Sequence, residues 1–185
     1  FVETKVKPKD AGAINTMFAD HNLHIANNPG ECSSDSGIHG GEVIGINNNL
    51  NFKSIDKTII ARIESETGSH IRFAAGIMRF KGFSFLMLTN YPKCSVGMDG
   101  ANEVRMKQMA ILIAITGLPF LSIGDFNMSA GGLLATGWPQ HLHATTMNIS
   151  DGTSTLRHHQ DRPIDFVMLS TSMVGMVAYF GLYLE

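Results

Sequence analysis

The chain has 185 residues, 44% hydrophobic and 16% charged, with a formal net charge of −2. That length and apolar content suffice for one domain with a substantial core, while the small negative charge argues against a broad basic face for nucleic acid and leaves room for a local basic groove. Cys32 and Cys94 are too few for a disulfide framework and lack metal-site spacing, which favours two buried or free thiols and a reducing, intracellular compartment, and no apolar run approaches the roughly 20 residues that span a bilayer.

Residues 1–4 read as the tail of a strand and 8–22 as a short helix capped by Asp10. Residues 27–41, rich in Asn, Ser and Gly, read as a surface loop. Strands are predicted at 42–46, 57–63, 69–80 and 83–89. In the third, Ile71, Phe73, Ala75 and Ile77 alternate onto one face, and Lys81-Gly82 before the fourth predicts a tight hairpin. Across 101–116, Val104, Met109, Leu112 and Ile113 recur with helical spacing until Gly117 and Pro119 stop the pattern.

The apolar run that follows Pro119 ends at Gly124-Asp125-Phe126-Asn127. It reads as a buried strand, with Gly124 turning the backbone so that Asp125 and Asn127 emerge at its end, where α/β proteins build sites. On these four residues alone, an ordinary Asp-Asn turn is an equal reading. An irregular segment containing Trp138 and a strand at 164–169 complete the order. Antiparallel strands followed by a helix that delivers a later strand predict a mixed, layered α/β domain.

Four segments now stand in a suggestive order: Glu3-Thr4-Lys5, Leu88-Thr89-Asn90-Tyr91, Gly124-Asp125-Phe126-Asn127 and Arg162-Pro163-Ile164-Asp165-Phe166. Together the chain resembles the endonuclease/exonuclease/phosphatase superfamily, in particular its abasic-site and retrotransposon endonucleases, from Glu3 to about Ser172. The resemblance implies an α/β sandwich of two mostly antiparallel mixed sheets flanked by helices. It also implies Mg²⁺-dependent phosphodiester hydrolysis, with Mn²⁺ as a substitute cation and nucleic acid, DNA before RNA, as substrate.

Such hydrolysis needs a group that positions or deprotonates water, a cation that neutralises phosphoryl charge, and donors to the equatorial oxygens. By resemblance Glu3 is the metal-ligating carboxylate, although a Glu in Glu-Thr-Lys otherwise reads as a solvated surface residue. Asp125 would activate water or protonate the leaving oxygen, Asn127 would donate to phosphate, and the Tyr91 hydroxyl would contact it. Asp165 would fix the orientation of the family's catalytic histidine. Asn90 stands where the family has a small residue, and Pro163 departs from the family pattern around Asp165.

That histidine belongs to a Ser-Asp-His motif, and residues 170–185 contain no histidine. The family's first, asparagine-bearing strand would precede Phe1, so the resemblance implies that 1–185 are a single but partial domain. A non-catalytic relative acting as a binding or structural module is the alternative, favoured by the low charge. His158 and His159 stand on a predicted loop before Asp165, and His141-x-His143 would face one side if extended, the arrangement a zinc site with either of them would need. His21 and His24 read as solvated, the eleven methionines as core filling, and Trp138 as an anchor against the core.

Overall fold

The structure, a computed structural model, describes residues 4–33, 37–93, 97–148 and 164–177. A 3-10 turn at Pro8–Asp10 runs into α1 (Ala11–Asp20), with Asp10 at the cap position but making no side-chain cap bond. Next come β1 (Leu23–Asn28), β2 (Glu31–Ser33), β3 (Gly37–His39), β4 (Glu42–Asn47) and β5 (Asn51–Ser54). The predicted surface loop at 27–41 thus holds the end of β1 and a β2–β3 hairpin.

The predicted strand at 57–63 is instead helix α2 (Lys57–Thr67). Its β-branched Thr58-Ile59-Ile60 suits a strand locally, but Asp56 caps a helix there by accepting the Thr58 N–H at 2.8 Å. Gly68, at φ 64°, closes the other end, and Ile59, Ile60 and Ile63 pack into the core at helical spacing. The strand predicted at 69–80 is confined to β6 (Ala75–Phe80), which pairs through the Lys81-Gly82 turn with β7 (Phe83–Thr89). Helix α3 (Ala101–Thr116) ends at Gly117, whose N–H bonds the Ile113 carbonyl at φ 61°.

Beyond it lie β8 (Phe120–Asp125), α4 (Ala130–Ala135), α5 (Trp138–His141), β9 (Ala144–Asn148), β10 (Asp165–Ser170), a 3-10 turn and the short α6 (Val174–Val177). Six strands form one mixed sheet in the order β5-β6-β7-β8-β10-β9, antiparallel throughout except for β7–β8. That parallel pair requires a crossover, which α3 supplies.

Strand alternation divides the packing into layers. Leu86, Leu88, Phe120, Phe166 and Met168 turn to one side of the large sheet and bury with Ile63 of α2 and Met106, Met109 and Leu112 of α3. On the other side Phe52 and Met78, backed by Phe85 and Met87, meet Ala26 and Ile44 of the antiparallel β1–β4 ribbon. Phe18 of α1 lies against Gly45 on the ribbon. The six-stranded sheet and the β1–β4 ribbon thus pack as the expected layered α/β sandwich, with helices on both sides. Each large apolar side chain fully buried this way contributes about 1.5–3 kcal/mol. Among the described residues, no helix is long and apolar enough to cross a membrane.

Candidate active site

Both β7 and β8 end, and both β10 and β4 begin, at one edge of the sandwich. There β8 delivers Asp125 directly opposite Asp165 of β10. The Phe126 N–H bonds the Ile164 carbonyl at 2.8 Å, so 126 and 164 are the hydrogen-bonded pair and their neighbours Asp125 and Asp165 form the narrow one. Directly opposed residues share a face, so the two carboxylates stand side by side. Beneath them, on the opposite face, Phe126 and Phe166 stack with ring centroids 4.1 Å apart and both fully buried. Four side chains around one strand crossing therefore give a rigid apolar floor and an acidic upper surface.

The upper surface opens into a cavity of about 360 Å³ between β4 and the ends of β7 and β8. Ile44, Ile46, Met87 and Ile123 make its walls apolar, and Asp125 and Asp165 line it. Asn127 leaves β8 at φ 52°, its N–H donating to Asp125 Oδ1 at 2.8 Å and its Nδ2 to the Pro92 carbonyl at 2.7 Å. An Asn tolerates this left-handed conformation better than most residues, and the short Asp-to-backbone bond holds the turn.

Pro92 belongs to the strap that leaves β7, Asn90 to Lys93, which carries the half-buried Tyr91. The Asn90 N–H bonds the Ile123 carbonyl at 3.0 Å, and the Asn90 carbonyl lies so close over Gly124 that any Cβ there would overlap it. Gly124 is needed for this approach rather than for an unusual φ. The strap's far end is gripped by Asn102 of α3: Oδ1 accepts from Lys93 N–H at 2.7 Å, and Nδ2 donates to the carbonyls of Lys93 and Gly97 at 2.9 and 2.6 Å.

Asn102 begins a buried polar row on α3 with the spacing i, i+3, i+6. Arg105 donates to Glu42 Oε1 of β4 at 2.9 Å, and Gln108 donates to Thr67 Oγ1 and to the Ser69 carbonyl at 3.0 and 2.8 Å. Burial pushes the Glu42 carboxyl above the usual carboxylate range; the Arg105 charge, the Thr89 hydroxyl and the Tyr91 N–H beside it pull in the other direction without cancelling the effect. Glu42 Oε2 and the Asn90 carboxamide have no hydrogen-bond partner among the described residues.

The structure thus brings Asp125, Asn127, Asp165 and the Tyr91 strap to one edge. Glu3 lies outside the described residues, but the Thr4 and Lys5 N–H groups bond the Gly41 and Gly40 carbonyls at 2.9 and 3.0 Å, just before Glu42. His158 and His159 also lie outside the described residues. His141 ends α5, with its ring edge-on to Trp138, and His143 sits in a turn at φ 51°, so the two do not share an extended segment. Among the described residues no cluster of three or more His, Cys, Asp or Glu is placed to hold a metal. Trp138 does pack against the core. Reasoning from sequence missed Glu42, Asn102 and Arg105; the one signal was polar residues recurring every third position along α3.

No protein-family model and no curated protein matches the chain. Solved structures do. The AP endonuclease LMAP from Leishmania major superposes with a TM-score of 0.66 at 11% identity, over 94% of this chain and 69% of that one. The endonuclease domain of TRAS1, a telomere-specific non-LTR retrotransposon, gives 0.57 at 11% identity, over 83% and 69%. An endonuclease/exonuclease/phosphatase family protein from Leptotrichia buccalis gives 0.52 at 9% identity, over 88% and 66%. The chain has the endonuclease/exonuclease/phosphatase fold. It spans about two thirds of the length of each of these endonuclease/exonuclease/phosphatase structures.

Proposed function

We propose that this chain is a nuclease-type phosphodiesterase acting on DNA with Mg²⁺. The observation that carries the reading is the opposed Asp125–Asp165 pair facing a cavity at the edge where Tyr91 and Asn127 also converge. The donor chemistry fits the cation: Mg²⁺ takes hard oxygens and keeps several waters, so one or two carboxylates suffice. Glu3, next in sequence to the Thr4 that is anchored just before β4, would hold it. When bound, Mg²⁺ would neutralise charge on the phosphoryl group.

The remaining work falls to the chain's own groups. Asp125, whose Oδ1 accepts the Asn127 N–H, is assigned to orienting or deprotonating the attacking water, or to protonating the leaving oxygen. The Tyr91 hydroxyl and the Asn127 carboxamide are assigned to the phosphate oxygens, and Asp165 to holding a catalytic partner opposite Asp125. The apolar walls would limit competing water around Asp125 and Asp165, which line the cavity.

Nicking of a supercoiled plasmid tests the proposal. Wild-type protein should nick in Mg²⁺ and stop in EDTA, and Asp125→Ala should be about 10²- to 10⁴-fold slower. Equal inactivity of the two proteins in Mg²⁺ would sink it. One observation favours a non-catalytic binding module instead: the Asn127 Nδ2 is engaged with Pro92, which commits to the protein a donor that phosphate would otherwise use. DNA binding that is unchanged by Asp125→Ala, with no nicking, would support that second reading.

A further inference from the structure

We infer that Glu42 and Arg105 are positioning residues, whose buried ion pair sets the height and orientation of the strap bearing Tyr91. Three of the strap's four residues have their backbone contacts accounted for: Asn90 on β8, Pro92 on Asn127, and Lys93 on Asn102. Tyr91, the residue between them, is the one whose N–H lies beside the Glu42 carboxylate. Glu42 reaches this place from β4 and is met by Arg105 from α3 at 2.9 Å, with both side chains buried. The pair therefore ties the ribbon to the helix layer at the sandwich edge, beside the Tyr91 N–H.

A positional role explains an otherwise costly arrangement. Two buried charges gain little over apolar residues of similar volume, so stability alone is a weak reason for the pair. Arg105 follows Asn102 by three residues on the helix surface, so one face of α3 holds the far end of the strap and, through Glu42, its centre. Displacement of Tyr91 by about 1 Å would be enough to lower turnover by roughly 10²-fold if its hydroxyl meets phosphate. This consequence for catalysis rests on the nuclease reading above; the placement of the strap does not.

The test is the double variant Glu42→Leu/Arg105→Met, which removes both charges and keeps the volume. It should melt within a few degrees of wild type, since paired removal avoids leaving one buried charge alone. Amide hydrogen exchange at Tyr91 and Lys93 should nevertheless accelerate by about tenfold or more, because the strap opens locally. In plasmid nicking, kcat should fall by about 10- to 100-fold with KM little changed. Arg105→Lys, which retains the charge, should recover part of both effects, and it decides the matter if the double variant does not fold.

Exchange at Tyr91 identical to wild type in a folded variant overturns the inference, whether or not the protein nicks DNA. Faster exchange with undiminished kcat overturns its catalytic part. Inactive wild-type protein counts against the nuclease reading alone, and the exchange comparison still decides whether Glu42 and Arg105 place the strap.

Discussion

Asp125 and Asp165 occupy a narrow, non-hydrogen-bonded position across the β8–β10 ladder, two carboxylates held side by side over a stacked pair of phenylalanines. Like charges directly opposite one another destabilise a sheet, by amounts comparable to the roughly 0.2–1 kcal/mol that favourable pairs contribute. Asp125→Asn keeps the shape and an oxygen for the Asn127 N–H, and removes one charge. Its melting temperature should therefore rise by about 1–4 °C, while plasmid nicking falls by about 10²-fold or more. A lower melting temperature for the variant in calorimetry would show that the pair is not repulsive.

Gly124 has an ordinary place in β8, yet it cannot be exchanged for alanine. A methyl group there meets the Asn90 carbonyl, a backbone atom that has no side-chain torsion to move away. Overpacking of this kind costs about 1–3 kcal/mol. Gly124→Ala should lower the melting temperature by about 2–12 °C and reduce nicking as well, since the displaced strand end carries both Asn90 and Tyr91. Unchanged stability in urea unfolding would contradict the close approach.

Much of this architecture was legible because local signals agreed with the fold. The period of α3 and its Gly117 stop, the alternating β6 and β7 around Lys81-Gly82, and the abrupt end of β8 at Asp125 each state one structure. Helix α2 was not legible from its first turn, where Thr58, Ile59 and Ile60 favour a strand and the Asp56 cap and Gly68 outweigh them. Strand β5 has one buried residue, Phe52, too few to show a period. Among the site residues, Asp125 and Asn127 announce themselves at a strand end, whereas Glu42 and Arg105 lie 63 positions apart and acquire meaning only when β4 and α3 meet. Their pairing is a property of topology, which no local pattern encodes.

Asn102 makes three hydrogen bonds from one buried carboxamide, two to Lys93 and one to Gly97. Asn102→Ala strands those backbone groups, and each buried unsatisfied group costs about 1–3 kcal/mol, partly recovered where water enters. A net loss of about 2–4 kcal/mol is expected, together with faster trypsin cleavage after Lys93 as the strap's far end is released. Cleavage at the wild-type rate under native conditions would rule out Asn102 as the grip.

Glu42 should leave a signature in the pH dependence of stability. Burial raises its folded-state pKa above the ordinary value of 4.5, so the folded protein holds this proton more tightly than the unfolded chain does. Stability from this group is then fully present below 4.5 and is lost as pH rises through the higher folded value. Glu42→Gln removes the titration and leaves Arg105 buried beside a neutral group at every pH. The variant's stability relative to wild type should therefore improve as pH increases from 4 through neutrality, even if it remains the less stable protein throughout. Urea unfolding of both proteins at unit pH intervals from 4 to 8 measures the difference directly. A flat difference across that range would mean that Glu42 titrates alike in the folded and unfolded chains, and a difference that grows against the variant would mean that Arg105 holds the carboxylate ionised despite its burial.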